Sequence, residues 1–124
     1  MPLRGIRGAT TISQDSESEV LEATTEILEE IMAANPTLQP EDVASAFFTV
    51  TTDIRSAFPA RAAEKNGWRN VPRICAQEIP VEGSTPLCIR VLLLWNTELN
   101  QNEIKHVYIK GAKNLRPDLI ESQT

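Results

Sequence analysis

The sequence predicts an α+β domain with helices packed on one face of a mixed sheet. Three observations point there. One long segment repeats its apolar residues at the helical period, and five short stretches are rich in branched and aromatic residues. The order is strand, long helix, strand, short helices, then strands, which is the α+β pattern. The 124 residues fit one domain spanning 1–124, and a second core would not fit comfortably. A monomer of this size buries roughly two-thirds of its unfolded surface, which gives a real core but little depth for an enclosed active site.

The first strand is expected over Leu3–Thr11. The long helix follows, with Val20, Leu21, Thr24, Ile27, Leu28, Ile31 and Met32 on one face and glutamates on the other. Ser16 and Glu19 have capping-box spacing, and Asn35-Pro36 ends the run. Further strands are expected over Ala44–Thr51, Val71–Gln77, Leu87–Trp95 and Lys105–Ile109. A short helix is expected to begin at Pro40-Glu41-Asp42, and another to run from Phe58-Pro59 to Gly67, which supplies the stop. Gly83-Ser84 and Asn100-Gln101-Asn102 read as turns, and residues 120–124 as a flexible tail.

Composition removes several function classes. Twelve Lys and Arg against 17 Asp and Glu give a net charge of −5, the wrong sign for nucleic acid. The acidic surplus belongs to one segment, because no Lys or Arg lies between Arg7 and Arg55. A run of that kind reads as a solvated helix face. No apolar run is long enough to span a bilayer, and Met-Pro-Leu-Arg-Gly lacks the apolar core of a secretory leader, so a cytoplasmic protein is expected. Cys75, Cys88 and one histidine cannot build a disulfide framework or an ordinary zinc site, so no structural metal is expected.

A few residues resist a purely structural explanation. Leu87–Trp95 is apolar on both alternating faces except at Arg90, and such a strand is normally covered on both sides. A guanidinium there needs an anion or costs several kcal/mol. An internal ion pair with Glu78 is one resolution, and an anionic ligand is the other. Arg7 sits among small and apolar residues in Leu3-Arg4-Gly5-Ile6-Arg7-Gly8-Ala9. Tyr108, the only tyrosine, alternates with Val107 and Ile109 and so points away from them. Glu78 closes a strand. Two arginines, a phenol and a carboxylate on one small sheet suit a small anion bearing a hydroxyl. No sequence neighbour pairs His106 or Cys75 as base or nucleophile, so positioning and electrostatics are expected to carry any chemistry.

These residues lie within longer motifs: Arg4-Gly5-Ile6-Arg7-Gly8-Ala9-Thr10-Thr11, Phe58-Pro59-Ala60-Arg61-Ala62, Gly67-Trp68, Val71-Pro72, Cys75-Ala76-Gln77-Glu78, Cys88-Ile89-Arg90-Val91, His106-Val107-Tyr108 and Leu115-Arg116-Pro117-Asp118-Leu119. In this collinear order, over residues 3 to 119, the chain closely resembles the monofunctional AroH-type chorismate mutases of bacilli. The resemblance implies a ferredoxin-like subunit in a homotrimer with a pseudo-α/β-barrel centre and active sites at the subunit interfaces. It implies the Claisen rearrangement of chorismate to prephenate without cofactor or metal. Arg90 would meet the ether oxygen and a carboxylate, Arg7 a carboxylate with help from Tyr108, and Glu78 the ring hydroxyl. Cys75 would lie beside Glu78. Phe58, Ala60, Arg61, Arg73 and Ile74 would line the pocket from the neighbouring subunit, with Leu115 and Arg116 closing it. The segment from Arg61 to Gly67 is one residue shorter than in the bacillar pattern, and Arg73 and Ile74 replace small pocket-lining residues. A small-anion-binding regulatory trimer of similar fold is the alternative. It would keep the arginines without requiring Arg90, Glu78 and Tyr108 together.

Overall fold

The computed structural model describes residues 1–65 and 67–115. It contains β1 (Leu3–Thr11), α1 (Glu17–Ala34), β2 (Val43–Val50), β3 (Arg73–Gln77), β4 (Cys88–Asn96) and β5 (Val107–Tyr108). Short 3-10 runs occupy Pro40–Asp42, Pro59–Lys65, Gln101–Glu103 and Lys110–Asn114. Among the described residues, no helix is long and apolar enough to cross a membrane.

Helix α1 begins where the sequence places its cap. The Ser16 hydroxyl accepts from the Glu19 backbone N–H at 3.3 Å. The box is only half formed, because Glu19 turns back to Ser13 and accepts from its amide and hydroxyl at 3.0 and 2.6 Å. Those two donors hold the Glu19 carboxyl below the usual glutamate range. At the other end the buried Asn35 amide donates to the Ile31 and Lys105 carbonyls, both at 2.9 Å, and its oxygen accepts from Lys105 N–H at 3.0 Å. One side chain therefore ends the helix and ties it to the approach to β5.

The sheet has the order β3-β2-β4-β1-β5. Strand β4 runs antiparallel between β1 and β2, while β1 pairs with β5 and β2 with β3 in parallel. The β1-α1-β2 unit is thus split by β4. Helix α1 packs its Ile27, Leu28 and Ile31 against Ile6, Phe48, Val91, Leu93 and Trp95, all buried in one cluster. Each large side chain so buried contributes about 1.5–3 kcal/mol. Gly8 sets the closeness of that contact, since a Cβ there would meet Ile31 Cδ1 at 2.6 Å and Ile27 Cγ1 at 3.2 Å.

The α+β reading and the five strands hold, with corrections at several elements. The Phe58–Gly67 segment is a 3-10 run, Pro59–Lys65, rather than a longer helix; Gly67 does supply the turn, at φ +82°. The Pro40 helix is a single 3-10 turn leading straight into β2. Strand β3 starts at Arg73 rather than Val71, because Pro72 has no N–H and joins the ladder only through its carbonyl to Ala46. Strand β5 is just Val107–Tyr108: Asn35 takes the Lys105 backbone, and the His106 ring nitrogen Nδ1, in place of a carbonyl, accepts from Arg7 N–H at 2.9 Å.

The largest correction concerns β4. Its two apolar faces suggest cover on both, but this chain fully covers only the face bearing Ile89, Val91, Leu93 and Trp95. Of the other face it covers one end, where Cys88 and Ala9 are buried with Tyr108 and Ala112. On the other face Arg90 is exposed and Leu92 is 38% exposed, with Ile74 of β3 at 58%.

Candidate active site

Strand pairing brings the predicted residues together across that open face. Tyr108 pairs with Ala9, Ala9 with Arg90, Arg90 with Thr49, and Thr49 with Ala76, giving one row over all five strands. Arg7, two residues before Ala9, lies opposite Leu92 on the same face and so stands diagonal to Arg90. Glu78 extends β3 by one residue, its N–H donating to Val50 O at 2.8 Å, and its carboxylate returns to the row. Glu78 Oε2 accepts from the Thr49 hydroxyl and stands 3.8 Å from Arg90 Nε.

The ion pair anticipated between Arg90 and Glu78 is therefore present but loose. Their side chains are 45% and 27% exposed, so Arg90 pays little desolvation and keeps most of its guanidinium for another anion. Tyr108 points as the alternation predicts. It packs with Ala9, Cys88 and Ala112, and Leu115 lies against this cluster, whereas Val107 and Ile109 join the main core. Burial, the dominant cause, pushes the Cys88 thiol above its usual range despite the opposing charge of Arg90, so Cys88 is a neutral packing group. A cleft of about 460 Å³ opens beside Arg90 and Glu78, lined also by Thr51, Asp53 and Ser84.

The remaining predicted residues form a separate group at the β3 edge. Phe58, Ala60, Arg61, Arg73, Ile74 and Cys75 line one cavity of about 330 Å³ beside the Pro59–Lys65 run. Phe58 is 68% exposed, and the Arg61 guanidinium makes a solvated 3.6 Å contact with Glu17. Two residues differ from their expected parts. Cys75 pairs with the buried Phe48 and packs on the main core, so it belongs to this edge group rather than beside Glu78. Arg73 is occupied structurally, its Nη1 donating to the carbonyls of Trp68 at 2.7 Å, Val71 at 3.2 Å and Arg69 at 3.3 Å. Arg116 lies outside the described residues, as do residues 120–124.

Thr49 was missed by the sequence reading. The sequence signal was only partial: alternation with Ala46, Phe48 and Val50 places its hydroxyl on the face opposite the core, but its position across from Arg90 comes from strand pairing.

Two guanidinium groups, a phenol and a carboxylate thus lie along one sheet face, a set whose chemistry suits a small hydroxylated anion. His106 Nδ1 is engaged by a backbone donor, and burial keeps Cys88 neutral. Comparison with known proteins narrows this class. The family model for chorismate mutase type I matches residues 3–119. The chain is 47% identical over 121 residues to chorismate mutase AroH of Thermus thermophilus, covering 98% of this chain and 99% of the relative. It is 45% identical over 120 residues to that of Bacillus subtilis, covering 96% and 94%. A solved chorismate mutase from Clostridium thermocellum superposes with a TM-score of 0.85 at 44% identity, covering 88% of this chain and 96% of that one. The chain belongs to the chorismate mutase type I family.

Proposed function

We propose that this chain is an isomerase that converts chorismate to prephenate, the step leading towards phenylalanine and tyrosine, in the cytoplasm. The observation that carries this reading is the row Tyr108–Ala9–Arg90–Thr49 with Arg7 and Glu78 on the same open face. Chorismate is a dicarboxylate with one free hydroxyl, and its chemistry matches that set of groups.

The rearrangement breaks the ether C–O bond as a C–C bond forms within the same molecule, so no proton, electron or second reactant is exchanged. Negative charge grows on the ether oxygen in the transition state. Arg90 would stabilise that charge, a contribution of about 3 to 4 kcal/mol for one fixed donor. Arg7 with Tyr108 would hold a carboxylate, and holding the side chain folded over the ring supplies near-attack geometry. Both contacts of Glu78 fall on Oε2, which leaves Oε1 to accept from the ring hydroxyl.

The working unit in this reading is a homotrimer of ferredoxin-like subunits around a pseudo-α/β-barrel, with each site shared by two chains. Two features support it. The open face of β4 carries Leu92, Leu94 and Phe47 uncovered or half covered, as a subunit face does. The site residues also fall into two groups on one chain, the Arg90 row and the Phe58–Arg61–Ile74–Cys75 edge, so each chain offers half of two sites. Leu115, beside Tyr108, would close the row's half.

The test is to add purified protein to chorismate and follow the loss of its absorbance, then convert the product with acid to phenylpyruvate. Rapid loss with that product supports the reading. No conversion by folded, trimeric protein would overturn it in favour of a regulatory anion-binding module.

A further inference from the structure

We propose that Thr49 is a positioning residue that keeps Arg90 and Glu78 from closing into a tight ion pair and so holds both ready for substrate. This inference rests on the chorismate mutase reading and concerns the same site.

Thr49 is the direct cross-strand partner of Arg90 and lies on the strand between β4 and β3, beyond which Glu78 returns. A free arginine and carboxylate at this separation close to about 2.7–2.9 Å, commonly through two parallel bonds. Here there is one contact, Nε to Oε2, at 3.8 Å. The oxygen that Arg90 would grip already accepts from Thr49, whose backbone is fixed by β4 on one side and β3 on the other. A β-branched side chain in a strand has few rotamers, so the hydroxyl is held where the competition occurs. Without it, the carboxylate is released to Arg90, which then meets the ether oxygen less well. Glu78 is turned away from the hydroxyl by the same movement.

The test is steady-state kinetics on chorismate for Thr49→Val, Thr49→Ala and Thr49→Ser, alone and with Glu78→Ala, in protein of verified fold and mass. Val preserves shape and strand preference, and Ala removes the same hydroxyl should Val fold poorly. We expect kcat to fall about tenfold in both, with KM changed less than about threefold, as for a hydrogen bond to a charged group. Thr49→Ser should stay within about threefold of the parent. In the Glu78→Ala background, removing the hydroxyl should add less than about twofold, because its partner is gone. Parental kcat in Thr49→Val, a Ser variant as poor as Val, or a repeated tenfold loss without Glu78 would each overturn the proposal. A parent protein that leaves chorismate unchanged removes the mutase reading, and this inference with it; active parent with indifferent Thr49 variants removes the inference alone.

Discussion

The two faces of the one sheet are built to different rules. The face under α1 is closed with Ile6, Phe48, Val91, Leu93 and Trp95 almost wholly buried, and Gly8 lets the helix seat against them. The opposite face alternates charge with unfinished hydrophobic surface: Arg7 and Arg90 stand beside Leu92 and Ile74. The same strands make both, since adjacent residues of β4 point in opposite directions. The covered face holds the fold, and the open face is free to carry groups that would be costly in a core. Mutations on the two faces should therefore be read out in different experiments.

The largest effect is expected beneath the helix. Trp95→Ala should destabilise the chain by about 3–5 kcal/mol, read from denaturant midpoints, because it empties a fully packed site. Arg90→Ala, five residues earlier on the other face, should reverse the pattern. Its kcat on chorismate should fall on the order of 10²–10³-fold with the denaturation midpoint nearly unchanged. Near-normal turnover would remove its electrostatic part, and extensive unfolding would return the Arg90–Glu78 pair to a structural role. Leu92→Glu should shift the single chain's stability by less than about 1 kcal/mol while lowering the sedimenting mass below three chains, if this face is a subunit contact.

The smallest effect lies away from both faces, at the start of α1. Glu19 has a depressed folded pKa because Ser13 donates to it, so its contribution is full above the usual glutamate range and is lost as pH falls through the depressed value. The gap in melting temperature between the parent and Ser13→Ala should thus be clear at about pH 7 and narrow towards about pH 3. A gap that stays constant would mean that Ser13 acts through packing.

What the sequence disclosed follows the same division. Apolar periodicity places α1 and the inner face of the strands, and β1 was legible to its ends because Ile6 and Ala9 lie in one continuous strand. Arg90 stood out as the one charge in an apolar strand. What was hidden depends on neighbours distant in sequence. The turn of Arg73 towards three loop carbonyls, the assignment of Cys75 to the β3 edge and the contact of Thr49 with Glu78 all follow from strand pairing and loop closure, which local pattern does not record. The 3-10 form of Pro59–Lys65 is similar: a run of seven residues is too short for its composition to fix the helix type.

The central claim is that the Arg90 row of one chain works with the Phe58–Arg61 edge of another, and subunit complementation tests it most directly. Arg90→Ala damages only the first half and Arg61→Glu only the second. Arg61 is exposed, with a weak surface partner, so the change should spare the fold. Each variant alone should be nearly inactive on chorismate. Co-expressed and purified through two different tags, the mixed trimers should regain about a third of the parental activity, because each has one interface of its three at which both intact halves meet. Mixed assemblies no more active than the separate variants would contradict a site shared between chains.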